Sequence, residues 1–298
     1  MGTTRFGTVL TAMVTPFAPD GAVDFDVATS VAQFLVEEGS DGLVVAGSTG
    51  EGSSLSDEEK LDLFRCVVEA VNVPIIAGST FANTAQSVSL TSRVHETGVA
   101  GVLATTPAYS RPSQHGISAH FAAIAGSTKL PVMLYDVPVR TGRKIASATT
   151  IDLVRHHPNI VALKDASGDL VSAAHTKAVL GDDLDLYSGD DSLLLPFLSI
   201  GAVGIVSVAA HWAAREFVAL VRCVEKGDFV KAQMYNERLA PSYAFESNES
   251  SPNPLPSKAA LRALGFAVGQ CRLPLCEADP TLDAAANDLV ASLRAQRG

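Results

Sequence analysis

Eight short apolar runs, spread along the chain and separated by longer helical patterns, constrain the fold of this sequence more than any other feature. Each run has four to six residues and is mostly aliphatic, which is typical of a strand buried on both faces. Eight such strands favour a (β/α)8 barrel over an open doubly wound sheet, which needs a topological switch and usually has fewer strands. The predicted strands are Val9–Val14, Gly42–Val45, Pro74–Ala77, Gly101–Ala104, Val132–Tyr135, Ile160–Lys164, Leu184–Tyr187 and Gly204–Val208.

The segments between and after these strands show helical spacing. Ser56 precedes three consecutive acidic residues, which places a capping hydroxyl and negative charges at the positive end of a helix dipole. After the eighth strand the pattern stays helical. We therefore predict an α/β fold: a (β/α)8 TIM barrel over residues 1–224, with a C-terminal helical extension over residues 225–298 packed on it. The predicted helices are Val27–Glu38, Asp57–Ala70, Thr84–Thr97, Gln114–Ser127, Ala148–Arg155, Leu170–Leu180, Trp212–Lys226, Phe229–Ala244, Pro256–Leu264 and Pro280–Arg294.

Charge and composition argue against several kinds of partner. The 298 residues carry a formal net charge of -10 and show no basic stripe, so neither nucleic acid nor an anionic membrane is an expected partner. The first residues lack a basic region followed by a long apolar run, and no apolar stretch reaches the length of a membrane span. We therefore expect a cytoplasmic protein.

Residue types that commonly bind metals show no metal-site spacing. The four cysteines lack the paired spacing of zinc or redox motifs, and the seven histidines lack a metal motif such as two on one helical turn with a glutamate. Asp190 and Asp191, after the seventh strand, fit the start of a helix better than a metal site. We expect no metal and no cofactor, which disfavours a metal-dependent aldolase.

Lys164 ends the sixth apolar run, and the carboxyl ends of barrel strands are where ligands bind. An ammonium held among aliphatic side chains loses hydration, so its pKa falls and a neutral, nucleophilic amine becomes available. Such an amine forms a Schiff base with a keto acid. The alternative is an ordinary strand-end lysine that pairs with Asp165 or reaches solvent.

The loop after the second strand, residues 46–52, suits a small anion. Its glycines flank Ser48 and Thr49, and they allow a tight turn that presents backbone N–H groups. The loop lacks the length and the lysine of a nucleotide-binding P-loop, so a carboxylate fits it better than a triphosphate. A plain strand-to-helix turn is the alternative.

Two tyrosines and an arginine follow the fourth and fifth strands. Tyr109 and Tyr135 each bring a phenol to the predicted mouth of the barrel, where a phenol can pass a proton to or from a reacting group. Arg140 follows Tyr135 closely, and its guanidinium could hold a second carboxylate. Taken singly, these residues fit ordinary packing and a surface ion pair; at successive strand ends with Lys164, they favour a site.

Several spaced motifs in the same order resemble the dihydrodipicolinate synthase / N-acetylneuraminate lyase family of Schiff-base aldolases, and within it the synthases of lysine biosynthesis. The resemblance runs nearly end to end. Its motifs are Thr11-Ala12-Met13-Val14-Thr15-Pro16-Phe17, Gly47-Ser48-Thr49-Gly50-Glu51, Thr106-Pro107-Ala108-Tyr109-Ser110-Arg111-Pro112, Leu134-Tyr135-Asp136-Val137-Pro138-Val139-Arg140-Thr141-Gly142, Leu163-Lys164-Asp165-Ala166-Ser167-Gly168, Tyr187-Ser188-Gly189-Asp190-Asp191 and Gly204-Ile205-Val206-Ser207-Val208.

The resemblance implies roles for four catalytic residues. Lys164 would form an imine with pyruvate, and Tyr135 would relay protons to and from it. The Ser48 hydroxyl would link Tyr135 to Tyr109, which in the family reaches in from a neighbouring subunit. A dimer would then be the minimum catalytic unit, and tetramers are common in the family.

Substrate binding follows from the same resemblance. The backbone of Ser48 and Thr49 would hold the pyruvate carboxylate, the backbone of Val206 would line the pyruvate pocket, and Arg140 would hold the carboxylate of L-aspartate semialdehyde. The implied activity condenses these two substrates in the diaminopimelate and lysine pathway. The alternatives are another pyruvate-dependent aldolase of the family, acting on N-acetylneuraminate or a hydroxy-keto acid, and a non-catalytic paralogue that binds a keto acid.

The chain departs from the family pattern at three places. Ser48 replaces the usual threonine, Ala108 replaces the first tyrosine of the usual pair, and the loop over residues 52–55 is smaller than usual. These departures bear on the choice of aldehyde and leave the imine chemistry intact.

Feedback by lysine is expected to be absent. In family members that lysine inhibits, the inhibitor lies between subunits, with acidic and amide groups on its ammonium groups and a tyrosine packed against it. The corresponding residues here are Asp57, Lys60, Ala82, Gln86 and Ala108. One acidic side chain beside a lysine is a poor match for a cationic ligand.

Overall fold

The eight predicted strands form a closed parallel barrel in which each strand pairs with the next and the last pairs with the first. The computed structural model describes residues 4–80, 82–246, 249–277 and 279–297. The predicted (β/α)8 barrel is therefore confirmed, with strand ends shifted by one or two residues. The strands are β1 Val9–Ala12, β2 Gly42–Val45, β3 Ile75–Gly78, β4 Gly101–Thr105, β5 Val132–Asp136, β6 Ile160–Asp165, β7 Asp185–Ser188 and β8 Gly204–Ser207.

Helices cover the outside of the barrel. The predicted start at Ser56 is confirmed: its hydroxyl accepts the N–H of Glu59, whose carboxylate accepts the N–H of Ser56. The predicted helix over 84–97 is divided by a break into α3 and a 3₁₀ turn over Val94–Thr97. The helices are α1 Phe25–Glu37, α2 Asp57–Ala70, α3 Thr84–Thr91, α4 Gln114–Gly126, α5 Pro138–Thr141, α6 Ser147–His156, α7 Leu170–Leu180, α8 Leu194–Ser199, α9 Ala210–Glu225, α10 Phe229–Phe245, α11 Leu255–Ala263 and α12 Pro280–Arg297.

The C-terminal extension, α10 to α12, packs on α9 and shares a hydrophobic cluster with it. Phe217 and Leu220 of α9 belong to the same buried cluster as Leu239, Ala260 and Leu293 of the extension. Because this cluster crosses residue 224, the barrel core continues into the extension. The division of the chain at that residue stays a prediction.

The sequence analysis expected neither a membrane-spanning segment nor a metal site. Among the helices in the described ranges, none combines the length and apolar composition needed to cross a membrane. The described residues also contain no group of three or more histidine, cysteine, aspartate or glutamate side chains placed to hold a metal ion.

Barrel closure between β8 and β1 depends on a glycine. A Cβ atom at Gly204 would lie 1.8 Å from the carbonyl oxygen of Thr8, which already accepts the N–H of Ile205 at 2.8 Å. A side chain there would force the first and last strands apart at the seam of the barrel.

We expect Gly204→Ala to lower the free energy of unfolding by about 3 kcal/mol or more, because backbone must move to admit the methyl group. Chemical denaturation would measure the loss. Gly126→Ala, at the end of α4, is the matched control because a Cβ there meets nothing within 4 Å. Equal stability of the two variants would contradict this account of the seam.

Candidate active site

A cavity of about 460 Å³ opens at the carboxyl end of the barrel, where the loops after β2 to β5 meet the C-terminal extension. Ligand-binding cavities of barrel enzymes lie at this end because the strand-to-helix loops converge there. Its wall includes Ser48, Glu51, Thr106, Arg140, Asn253 and Leu275.

Lys164 is buried near the end of β6, in register with Tyr135 of β5 and Tyr187 of β7. Its side chain is not part of the cavity wall. The residue is 5% exposed, and Nζ lies 4.3 Å from the centre of the Tyr135 ring. Gly189 leaves room for it, since a Cβ there would lie 3.0 Å from Lys164 Cγ.

Burial sets the charge of Lys164. Loss of hydration lowers its pKa to about 8; Asp191 opposes this shift and Arg140 reinforces it. The structure supports neither alternative for Lys164: the residue is buried and does not reach solvent, and no ion pair among the described residues joins it to Asp165, whose carboxylate accepts the backbone N–H of Ser167 at 2.8 Å. Near neutral pH, part of the Lys164 population therefore carries a neutral, nucleophilic amine.

Tyr135 is buried beside Lys164 and connects it to the cavity wall. Burial raises the pKa of Tyr135 to about 12, while Arg140 and a hydrogen bond with Ser48 oppose the shift. The phenol is therefore protonated at neutral pH, as a proton donor must be. Because Ser48 lines the cavity, the series Lys164, Tyr135, Ser48 runs from the barrel interior to the cavity.

The loop after β2 is held in a tight and strained conformation. Ala46 and Glu51 have φ angles of 54° and 52°, a left-handed region that residues other than glycine adopt rarely. A Cβ at Gly52 would lie 2.1 Å from the carbonyl oxygen of Ala46. Strained turns that the surrounding structure holds in place are frequent at ligand sites.

Asn253, which the sequence analysis did not identify, joins this loop to Arg140. Its side-chain Nδ2 donates to Thr49 Oγ1 at 2.9 Å, and its backbone carbonyl oxygen accepts from Arg140 Nη2 at 3.3 Å. Asn253 lies in the extension, 204 residues from Thr49. The only local signal is its position between Pro252 and Pro254, which marks a turn and not a function.

Arg140 lies at the cavity wall on the short helix α5, with an exposed side chain. Val206 lies deeper, fully buried on β8 in the interior cluster that also contains Tyr135 and Tyr187. Of the residues predicted to bind substrate, Ser48 and Arg140 line the cavity, whereas the buried Thr49 and Val206 do not.

Tyr109 does not enter the cavity of its own chain. The residue is 98% exposed, with a φ of 67°, while Ala108 beside it lines the cavity. A phenol projected outward in a strained loop suits a residue that acts outside its own subunit. Its expected role in a neighbouring site stays a prediction.

Asp190 and Asp191 lie at the start of a short 3₁₀ helix, Asp191–Leu193, as predicted, but only the Asp190 side chain caps it. Asp190 Oδ1 accepts the N–H of Ser192 at 3.0 Å, whereas Asp191 Oδ2 accepts the N–H groups of Val208 and Ala209 after β8 at 3.1 and 2.7 Å. Asp191 also raises the pKa of Lys164. It is a site residue that sequence spacing concealed.

The match to a family model decides the family. The model described as "Dihydrodipicolinate synthetase family" matches residues 5–293. The chain belongs to the dihydrodipicolinate synthetase family. The resemblance inferred from the spaced motifs is thereby confirmed.

Named relatives in this family cover nearly the whole chain. The 4-hydroxy-tetrahydrodipicolinate synthase of Bacillus subtilis is 46% identical over 273 residues, which are 91% of this chain and 93% of that protein. The synthase of Desulforamulus reducens is 45% identical over 280 residues, 93% and 94% of the two chains.

Solved structures of the family have the same fold. The enzyme of Cyanidioschyzon merolae with lysine bound superposes with a TM-score of 0.94 at 40% identity, covering 98% of this chain and 99% of that chain. A dihydrodipicolinate synthase from Bacillus anthracis gives 0.92 at 41% identity, with 96% and 98% coverage.

The lowered pKa of Lys164 predicts a specific pH profile for imine formation. At low pyruvate, the rate of cyanoborohydride-trapped adduct formation on Lys164 should rise about tenfold from pH 6 to pH 7 and level off above about pH 8, as the amine loses its proton. Mass spectrometry of the Lys164 peptide would follow the adduct, with exposed Lys226 as internal control. A rate that keeps rising tenfold per unit through about pH 9.5 would contradict burial as the cause of the shift.

Proposed function

We propose that this protein is a 4-hydroxy-tetrahydrodipicolinate synthase, which condenses pyruvate with L-aspartate semialdehyde through an imine on Lys164. One observation carries the proposal: a lysine, buried against a tyrosine at the ligand-binding end of a barrel, with its pKa lowered to about 8. Relatives of that name, about 45% identical over nine-tenths of the chain, support the choice of reaction.

The first half of the reaction forms a nucleophile from pyruvate. The neutral amine of Lys164 attacks the keto carbon, and water leaves as the imine forms. Tyr135 supplies the proton that the departing hydroxyl needs. Its phenolate then takes a proton from the methyl carbon, and the protonated imine accepts the electron pair of the broken C–H bond, which gives an enamine.

The second half builds the product. The enamine carbon attacks the aldehyde carbon of L-aspartate semialdehyde, and the aldehyde oxygen takes a proton from Tyr135, which is reprotonated through Ser48. The amino group of the semialdehyde then attacks the imine carbon and displaces Lys164, which closes the ring and frees the amine. Water is the only other product, so the reaction needs no oxidant, and we propose that it uses no cofactor and no metal.

Each of the two substrates carries a carboxylate, and the two carboxylates would bind at different places in the site. The strained turn of Ser48 and Thr49 would receive the pyruvate carboxylate through backbone N–H groups, close to Tyr135. Arg140 would hold the carboxylate of the aldehyde across the cavity. Val206 would lie below the pyruvate, where its backbone closes the pocket.

The site is completed by a second copy of the chain in this proposal. The exposed phenol of Tyr109 would enter the neighbouring subunit's site and extend the series of hydroxyls beyond Ser48. A homodimer is then the smallest active unit, with a homotetramer as the expected assembly. We place the enzyme in the cytoplasm, where its small-molecule substrates are its partners, without nucleic acid or membrane.

A comparison of substrates tests the proposal. We expect pyruvate to be consumed with L-aspartate semialdehyde, and neither N-acetylneuraminate nor a 4-hydroxy-2-keto acid to be cleaved at a comparable rate. Preferred cleavage of one of these would assign another aldolase of the family. Pyruvate trapping without turnover of any aldehyde would instead indicate a keto-acid-binding protein.

Arg140 should control the aldehyde and not pyruvate. Arg140→Ala should cost on the order of 2–4 kcal/mol in kcat/KM for L-aspartate semialdehyde, since a charge-assisted carboxylate contact is lost. Trapping of Lys164 at saturating pyruvate should stay nearly complete. Arg65→Ala removes a half-buried arginine paired with Asp62 on α2 and serves as the control.

Unchanged kinetics of Arg140→Ala with L-aspartate semialdehyde would assign the aldehyde carboxylate to another residue. Loss of pyruvate trapping in that variant, with the control unaffected, would instead place Arg140 in the pyruvate half of the site.

Free lysine should leave the initial rate of this enzyme unchanged at concentrations that inhibit sensitive synthases. Lys60 on α2 is 1% exposed, and burial lowers its pKa to about 8, so it is still mainly cationic at neutral pH. Ala82 and Ala108 line the cavity without an aromatic ring to cover a ligand. A lysine ligand, itself cationic, would therefore gain little binding free energy beside the Lys60 ammonium and the two alanines.

Initial rates against lysine concentration, with Gln86→Glu/Ala108→Tyr as the companion variant, would test this. The companion adds the acid and the aromatic ring that sensitive family members carry. Saturable inhibition of the unmodified enzyme would show the expectation to be wrong, and a lysine found beside Lys60 in a crystal would locate the error.

A further inference from the structure

A buried ion pair joins the loop after β2 to the C-terminal extension. Lys258 Nζ, on α11, lies 2.8 Å from Glu51 Oε1, and neither side chain is more than 1% exposed. The other carboxylate oxygen, Oε2, accepts the backbone N–H of Arg272 at 2.8 Å. Both oxygens of Glu51 therefore contact the extension, although Glu51 belongs to the loop that carries Ser48 and Thr49.

The backbone of Glu51 closes the turn around these two residues. Its N–H donates to the carbonyl oxygen of Ser48 at 3.2 Å, and the N–H of Gly52 donates to Gly47 at 3.0 Å. Glu51 also has the left-handed φ of 52°. Strain of this kind persists only where surrounding contacts hold the residue, and the carboxylate is the part of Glu51 that the extension holds.

Lys258 is bound in a way that fixes its position. Nζ donates to the carbonyl oxygen of Gln270 at 2.9 Å and lies 4.3 Å from the centre of the Phe17 ring. Burial lowers the pKa of Lys258, and Glu51 is the main group that opposes this shift. The charge of the lysine is thus compensated chiefly by the loop carboxylate.

Stability alone does not account for such a pair. Desolvating two charges costs about as much as their attraction returns, and apolar side chains of similar size often stabilise a core as well or better. This pair, however, lies at the cavity, which Glu51 lines. Five residues before Lys258, Asn253 bonds Thr49 at 2.9 Å, so one segment of the extension holds the same loop at two points.

We propose that Glu51 and Lys258 are positioning residues for keto-acid binding, which together fix the Ser48–Thr49 turn in the shape that receives the keto-acid carboxylate. This inference rests on the proposed function and assigns part of it to the C-terminal extension. The pair acts through the turn, so it controls the affinity for pyruvate more than the chemistry at Lys164.

Three variants separate positioning from general stabilisation. Glu51→Gln keeps the shape of the side chain, and Lys258→Met keeps most of its length. Glu216→Gln is the control, because it removes a different buried carboxylate, on α9, that pairs with a residue of the extension, Arg297, at 2.7 Å. Pyruvate KM, aldehyde KM, kcat, thermal unfolding and borohydride trapping by pyruvate are measured for each.

We expect Glu51→Gln and Lys258→Met to raise the pyruvate KM about tenfold or more, with aldehyde KM changed less than about threefold. Trapping of Lys164 should still reach completion at saturating pyruvate. The double variant should be no worse than the more impaired single variant, because the two residues act as one unit. Glu216→Gln should lower the unfolding temperature without changing pyruvate KM.

An unchanged pyruvate KM in Glu51→Gln, with unfolding affected as in Glu216→Gln, would overturn the positioning role. Should Lys258→Met fail to fold, the comparison of Glu51→Gln with Glu216→Gln still decides. Absence of trapping in the unmodified enzyme would overturn the proposed function and this inference together. Normal trapping with an unchanged KM in Glu51→Gln would overturn the inference alone.

Discussion

The removal of the Lys164 ammonium from water is the constraint on which the rest of the site depends. An ammonium loses hydration at a cost of several kcal/mol when it enters a protein interior, so it gives up its proton more easily there than in solution. Tyr135 and Tyr187 flank it on the neighbouring strands, in an interior cluster of aliphatic side chains. The closed barrel thus produces a reactive amine from an ordinary lysine.

Two charges near this lysine act on its pKa in opposite directions. Burial is the main cause of the lowered pKa of Lys164, which is about 8; Asp191 opposes the shift and Arg140 adds to it. Burial, together with the neighbouring Asp191 carboxylate, raises the pKa of Glu246 well above its usual range. The imine of the proposed mechanism carries a positive charge, which the Asp191 carboxylate would stabilise.

How far the sequence predicted this site depends on whether each contact is local. The strands were predictable because buried parallel strands are continuous apolar runs, and Lys164, Tyr135, Ser48 and Arg140 follow from their positions at strand ends. Two contacts of the site join segments about 200 residues apart: the bond of Asn253 to Thr49 and the pair of Glu51 with Lys258. The periodicity of a sequence reports local structure and cannot reveal contacts between such distant segments. Asp191 was concealed because Asp190, next to it, fulfils the capping signal.

The most direct test of the account is the site of the pyruvate adduct. After incubation with pyruvate and borohydride, peptide mapping should find one reduced adduct, on Lys164, and Lys164→Arg should lose both the adduct and most of the activity. Arginine keeps a positive charge but provides no neutral amine, so this variant separates charge from nucleophilicity. An adduct on Lys258 or another lysine, or full activity of Lys164→Arg, would contradict the central claim.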